Sequence, residues 1–219
     1  MTNKPKVEER KIKPLGCNQC GKKLSECVCW HKGLSIKQIF RVQKHIDSAT
    51  QRAREGEINF ERVWAMPNKW TFTIKPIREL LKKEVSGVWI DPFAGENGKK
   101  YAKFTNDIAE GGVDALTYLK GLRGKYDGVL YDPPYSITQA RQYGHKEFAS
   151  MRYWKQIKDE MARLIKPGGK AICFGWSSQG LGKGRGFTLN RILLVPHGGS
   201  KNDTIVTIEL KSPPKGGKK

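Results

Sequence analysis

The chain has 219 residues, 37% of them hydrophobic, with 41 Lys and Arg against 21 Asp and Glu. That length fits one domain of enzyme size plus a small attachment, and the net charge of +20 calls for a polyanionic partner, because each phosphate contact releases counterions. No run of about 18 apolar residues occurs, which argues against a transmembrane helix, and the opening MTNKPKVEERKIKP has no apolar signal core, so a cytoplasmic protein without membrane attachment is expected.

Residues 1–16 are polar and basic and read as a flexible terminus. Residues 17–32 carry Cys17, Cys20, Cys27 and Cys29 in the spacing C-x2-C-x6-C-x-C, with Gly21-Lys22 after the first pair as in a zinc-knuckle turn. Four thiols so close together in a cytoplasmic chain favour structural Zn2+ over disulfides. So short a loop has no core of its own, and metal would supply its folding energy. His31 is an alternative ligand for one cysteine, and free thiols are the alternative to a metal site.

Residues 33–60 read as a basic helix. Ile36, Ile39, Phe40 and Ile46 fall near helical spacing, with Arg41, Lys44, Arg52 and Arg54 on the other faces. It is either a solvated helix or a nucleic-acid arm. The main domain is expected over residues 61–210. Its predicted elements are a turn and extended segment at Trp64–Phe72, a helix at Pro76–Lys83, strands near 88–91 and 103–106, a helix near 114–121 and a strand at 127–131. A helix at Tyr153–Ile165 follows, stopped by Lys166-Pro167-Gly168-Gly169. Then come a strand at Lys170–Phe174, in which Cys173 is a core residue, and a final pair at Arg191–Val195 and Thr204–Leu210. This alternation predicts an α/β fold with a mostly parallel sheet, helices on both faces and an antiparallel edge pair. Residues 211–219 are Pro, Gly and Lys with one Ser and read as a disordered basic tail.

The most informative segment is Asp132-Pro133-Pro134-Tyr135, which follows the apolar run Tyr126–Tyr131. Two prolines cannot continue a strand ladder. The break therefore presents a carboxylate, a proline carbonyl and an aromatic ring at the carboxyl edge of the sheet, where open α/β sheets bind ligands. The amine of a nucleobase is a weak nucleophile because its lone pair is delocalised. Two acceptors on its hydrogens, here Asp132 and the Pro133 carbonyl, would draw it towards tetrahedral geometry. Tyr135 would stack on the base, worth ~1–3 kcal/mol. A plain strand-terminating turn is the alternative. A second strand, Val88–Ile90, ends in the same manner at Asp91-Pro92-Phe93-Ala94-Gly95, a glycine turn that lets a ligand approach the backbone.

DPFAG followed by DPPY resembles the motif pair of S-adenosylmethionine-dependent amino-methyltransferases, which make N6-methyladenine or N4-methylcytosine. The likeness covers Pro67 to Leu210 and implies the Rossmann-like methyltransferase sheet. It implies that Asp91, Phe93, Ala94 and Gly95 contact the donor. Asp107 falls at the ribose-binding position, or is a helix N-cap. Asp114 falls near the adenine-ring position, or caps the next helix. Asn68-Lys69-Trp70-Thr71-Phe72 resembles the segment closing over the methionine end, with Lys69 as a donor contact. Asp132, Pro133, Pro134 and Tyr135 hold the base, and Asp132 rather than Ser favours adenine. The chain departs from the family between Gly95 and Asp107, where the usual helix hardly fits, so Asn97 or Lys99 would replace its contacts.

Three segments offer phosphate contacts: Arg141, Tyr143, His145 and Lys146 after the DPPY turn, Lys183 and Arg185 in GLGKGRG, and the His197–Lys201 turn. No insertion is long enough for a large target-recognition domain. Sequence specificity is therefore expected to be short or low, with selectivity supplied by a separate partner or a homo-oligomer. The sequence thus points to N6-adenine methylation of DNA. The alternatives are N4-cytosine methylation, methylation of RNA adenine, and a catalytically silent nucleic-acid-binding module.

Overall fold

The computed structural model describes residues 57–144, 150–199 and 201–213, all within the compact unit Glu55–Lys219. The expected flexible terminus, the cysteine loop with Cys17, Cys20, Cys27, Cys29 and His31, most of the basic helix, and His145 and Lys146 lie outside the described residues.

Seven strands form one sheet: β1 (Asn59–Arg62), β2 (Trp89–Asp91), β3 (Phe104–Thr105), β4 (Tyr126–Tyr131), β5 (Ile165–Gly175), β6 (Phe187–Val195) and β7 (Thr204–Lys211), in the spatial order β1-β6-β7-β5-β4-β2-β3. Only β7 runs antiparallel to its neighbours. The helices are α1 (Lys75–Glu84), α2 (Gly95–Gly98), α3 (Ala115–Gly121), α4 (Ile137–Gln142) and α5 (Met151–Leu164). The expected α/β class with a mostly parallel sheet is what the chain adopts. Among the described residues no helix is long and apolar enough to cross a membrane.

The alternation of side chains along the strands divides the core in two. Ile90, Val129, Tyr131, Ala171 and Cys173 face α3 and α5. Trp89, Leu130, Ile172 and Phe174 face α1. Glu84, the last residue of α1, ties that helix to the sheet through Lys170 at 2.8 Å and Arg191 at 3.0 Å.

Several expectations change. Asn59 and Phe60, placed by sequence in the basic helix, form β1, which pairs in parallel with β6. The antiparallel pair is therefore not at the edge, because β1 lies outside β6 and β7 lies inside it. Lys166–Gly169 does not merely stop a helix: it is part of β5, where the register jumps from Tyr126↔Ile165 to Gly128↔Lys170, a bulge on the β5 side. Lys211 closes β7 rather than opening the tail. No α-helix connects β5 to β6, only a short 3-10 turn at Lys183–Arg185. Residues 176–186 lie there instead, with Leu181 buried. Glu209 of β7, itself buried, accepts the N–H groups of Leu181 at 2.5 Å and Gly182 at 3.0 Å. Arg185 turns back onto Asp159 at 2.7 Å and the Leu181 carbonyl at 3.0 Å.

The pairing of β2 with β4 depends on a glycine. A Cβ on Gly128 would lie 2.5 Å from the ring of Trp89, which fills that space. Gly128→Ala is expected to destabilise the protein by ~1–3 kcal/mol, the usual cost of overpacking a rigid core, read as a lower denaturation midpoint with unchanged m-value.

Candidate active site

The carboxyl ends of β2 and β4 lie side by side, since Trp89↔Gly128 and Ile90↔Val129 are paired in parallel. The turn after β2 is built from inside. Asp91, fully buried, accepts the Phe93 N–H at 3.0 Å. Its other oxygen has no partner. Burial holds the Asp91 carboxyl well above the usual carboxylate range, opposed by the Phe93 N–H and reinforced by the negative charges of Asp132 and Asp107. Gly95 has φ 49°, the left-handed region. Gly98 packs on the same carboxylate, since a Cβ there would sit 2.4 Å from Ala94 Cβ and 2.7 Å from Asp91 Oδ2.

The loop after β3 braces this turn. Asp107 accepts the Gly95 N–H at 2.9 Å and the Ala109 N–H at 2.8 Å. The Asn106 carbonyl accepts the Ala94 N–H at 3.0 Å. The Asn106 side chain, buried, donates to the Val113 carbonyl at 2.9 Å and accepts the Val113 N–H at 3.0 Å. As anticipated, the connection from Gly95 to β3 has room only for the four-residue α2.

After β4 the chain breaks at the two prolines. The Tyr135 hydroxyl donates to Asp132 Oδ1 in a short hydrogen bond. Thr71 lines a cavity beside them. Tyr135 is steadied further by Gln139 Oε1, which accepts its N–H at 2.8 Å, and by Trp176, whose ring meets it at 5.7 Å and 66°. Burial pushes the Asp132 carboxyl up to about 6, against the pull of the Tyr135 hydrogen bond. Tyr135 is thus turned towards Asp132 by its hydroxyl rather than standing as an open stacking platform.

These turns enclose one cavity of ≈ 330 Å³. Lys69, Phe93, Ala94, Gly95, Asn97, Asp107, Asp132, Pro133, Pro134 and Tyr135, all singled out by sequence, line it together. Asp91 and Asp114 do not. Asp91 lies beneath the turn. Asp114 caps α3, accepting the N–H groups of Leu116 and Thr117 at 3.1 Å each, and takes the Tyr153 hydroxyl at 2.5 Å. Sequence reasoning missed Glu110 and Gln139 on the wall. Gln139 carried a signal: Ser136-Ile137-Thr138-Gln139 has capping-box spacing, and Ser136 Oγ does accept the Gln139 N–H at 3.2 Å to start α4. His197 lies elsewhere, its ring between the Ala65 carbonyl and the Thr204 hydroxyl at 2.9 Å each.

The charge of this wall opposes that of the chain. Among the described residues, Asp107, Glu110 and Asp132 face a single cation, Lys69, which rests 4.5 Å from the centre of the Trp70 ring. Such a cavity suits a cationic ligand rather than a phosphate. Among the described residues no group of His, Cys, Asp and Glu could hold a metal ion.

No family model matches the chain, and no curated protein matches it. Solved structures do. TrmN from Thermus thermophilus is 17% identical over 63% of this chain, with TM-score 0.40, and this chain spans about half of it, 49%. The 1,6-didemethyltoxoflavin-N1-methyltransferase of Burkholderia thailandensis is 13% identical over 64% of this chain and 78% of its own, with TM-score 0.44. The magnesium protoporphyrin IX methyltransferase of Synechocystis PCC 6803 is 14% identical over 63% and 79%, with TM-score 0.43.

Because Asp91 combines burial with an unpaired oxygen, Asp91→Asn keeps the acceptor for Phe93 and removes the charge. It is expected to raise stability at neutral pH by ~1–3 kcal/mol, because a buried charge costs more than the buried amide N–H that replaces it. The sign follows from the raised carboxyl: the folded state disfavours the ionised form, so the gain is greatest at high pH and shrinks as acid neutralises the wild type. Thermal unfolding of both proteins across pH reads this difference.

Proposed function

We propose that this chain is an S-adenosylmethionine-dependent methyltransferase that methylates the exocyclic N6 of adenine in DNA. One observation carries the reading: the turns Phe93-Ala94-Gly95 and Asp132-Pro133-Pro134-Tyr135 line the same cavity. The acidic wall supports it, since the donor is a sulfonium cation with an amine and a ribose diol. The net charge of +20 supports a nucleic-acid substrate whose phosphates lie outside that cavity.

In this reading Phe93, Ala94, Gly95, Asn97, Asp107 and Lys69 hold the donor. Asp91 and Asp114 act from behind it, by fixing the Phe93 turn and the start of α3. When bound, the donor supplies an electrophilic methyl group. Asp132 and the Pro133 carbonyl accept the hydrogens of the amine and turn its lone pair outward. The amine binds Asp132 beside the Tyr135 hydroxyl or in its place, and the Tyr135 ring stacks on the base. No strong base is required, and positioning supplies most of the acceleration. Structural Zn2+ on Cys17, Cys20, Cys27 and Cys29, low or short sequence specificity, and help from a partner or second copy belong to the same proposal.

The test is incubation with labelled donor and duplex DNA, single-stranded DNA or total RNA, followed by nucleoside mass spectrometry. N6-methyladenine in DNA is expected. Label confined to RNA or to cytosine would overturn the substrate, and absence of donor binding in calorimetry would overturn the enzyme. Asp132→Ala should lower transfer by roughly 10³-fold or more, the scale of a lost transition-state contact, with donor affinity nearly unchanged. Since Asp132 must be ionised to accept the amine, and its carboxyl sits at about 6, the rate should fall about tenfold per unit as pH drops below that value. A rate–pH profile checks this limb.

A further inference from the structure

The carboxyl edge of the sheet carries open apolar side chains that neither donor nor base holding uses. β1, β6, β5 and β4 all run the same way. The ends of β1 and β5 therefore lie along the edge on which the cavity opens. Trp176, immediately after β5, is 50% exposed, and its ring meets that of Tyr135. Trp64 and Met66, just after β1, are 59% and 68% exposed. From Met66 the chain passes through Pro67 and Asn68 to Lys69 on the cavity wall.

The Trp64 segment is held in place. The Val63 and Ala65 N–H groups donate to the Leu194 and Pro196 carbonyls at 3.0 and 3.2 Å, which continues the pairing of β1 with β6. The buried His197 joins the Ala65 carbonyl to Thr204 at the start of β7. Gly198 has φ 71°, and a Cβ there would lie 3.5 Å from Trp64 Nε1. The indole thus rests against this turn and leaves over half of its surface open.

We propose that this edge, from the cavity mouth to the end of β1, is a track for single-stranded DNA on which Trp176 and Trp64 stack unpaired bases. The inference rests on the reading of Asp132 as the acceptor of a base amine and extends that reading to the flanking nucleotides. Four strand steps separate β4 from β1, about 19 Å at ~4.8 Å per step. That is the reach of on the order of six stacked nucleotides at ~3.4 Å each. Aromatic platforms take the faces of unpaired bases, which a duplex keeps stacked on one another. Arg62 and Lys201 are exposed beside the track, and so are Glu61 and Asp203. Local charge is therefore balanced. Ring contact holds the strand, and the net charge of +20 draws it in from a distance.

The full chain is titrated into a labelled DNA single strand of about twelve nucleotides, the same DNA as duplex, and the matching RNA strand. Anisotropy is read over a range of salt, and thermal unfolding shows that each variant is folded. The DNA single strand should bind tightest. Trp64→Leu keeps apolar bulk without the ring and should weaken it ~5-fold or more, the scale of one lost stack. Trp176→Leu should do the same, and Trp64→Phe, which keeps a ring, should retain most of the affinity. Since no charge is removed, the salt slope should match the wild type in all three. Unchanged affinity in Trp64→Leu, tighter binding of duplex, or preference for RNA would overturn the track. So would a dimer in sedimentation that Trp64→Leu dissociates while DNA affinity holds, which would give this surface to a second copy. Binding needs neither donor nor turnover, so its failure is separate from a failure of methyl transfer.

Discussion

The fit of Trp89 over Gly128 is the constraint on which the site depends. The indole occupies the space a side chain on β4 would need, and its N–H is satisfied by the Ser86 carbonyl at 2.8 Å. Beside it, Asp127 Oδ2 accepts the Val88 N–H at 2.7 Å. Together these contacts set the register of two short parallel strands. A slip of one residue would exchange their faces and carry Asp91 away from Asp132. Because the register holds, two breaks in the chain open onto a common space.

That space differs in charge from the molecule around it. A chain of net charge +20 lines its cavity, among the described residues, with three carboxylates and one ammonium. Asp107 is the reason this is tolerable. Both of its oxygens accept backbone N–H groups, so it serves as a structural brace while still facing the cavity. Asp132 is steadied by the Tyr135 hydroxyl instead, and Asp91 is withdrawn below the surface. The carboxylates thus differ by what touches them rather than by type.

The sequence carried most of this arrangement, and its omissions have physical causes. Continuous apolar runs such as Val129–Tyr131 and Ala171–Phe174 announce strands buried on both faces. The two Asp-Pro breaks announce the site. β1 escaped notice because all four of its side chains are exposed, so no face is marked by hydrophobicity. α4 escaped because it follows the proline turn closely, and only its capping spacing identifies it. The partners of Asp114 and Tyr135 were beyond reach: each meets a group whose position depends on packing elsewhere, Tyr153 on α5 in one case and Trp176 beyond β5 in the other. Arg185 looked free for the same reason, since nothing local reveals Asp159.

The place of β7 bears on how this protein is made. Among the described residues it is the last strand in sequence, yet it sits between β5 and β6 and is hydrogen-bonded along both. Neither β6 nor the β1 strand beside it has any other link to the rest of the sheet. During synthesis the half of the sheet bearing the two breaks can assemble early, from contacts already emerged. The remainder must wait until Lys211 has left the ribosome, when one inserted strand joins the two pieces and its Glu209 captures the waiting glycine segment.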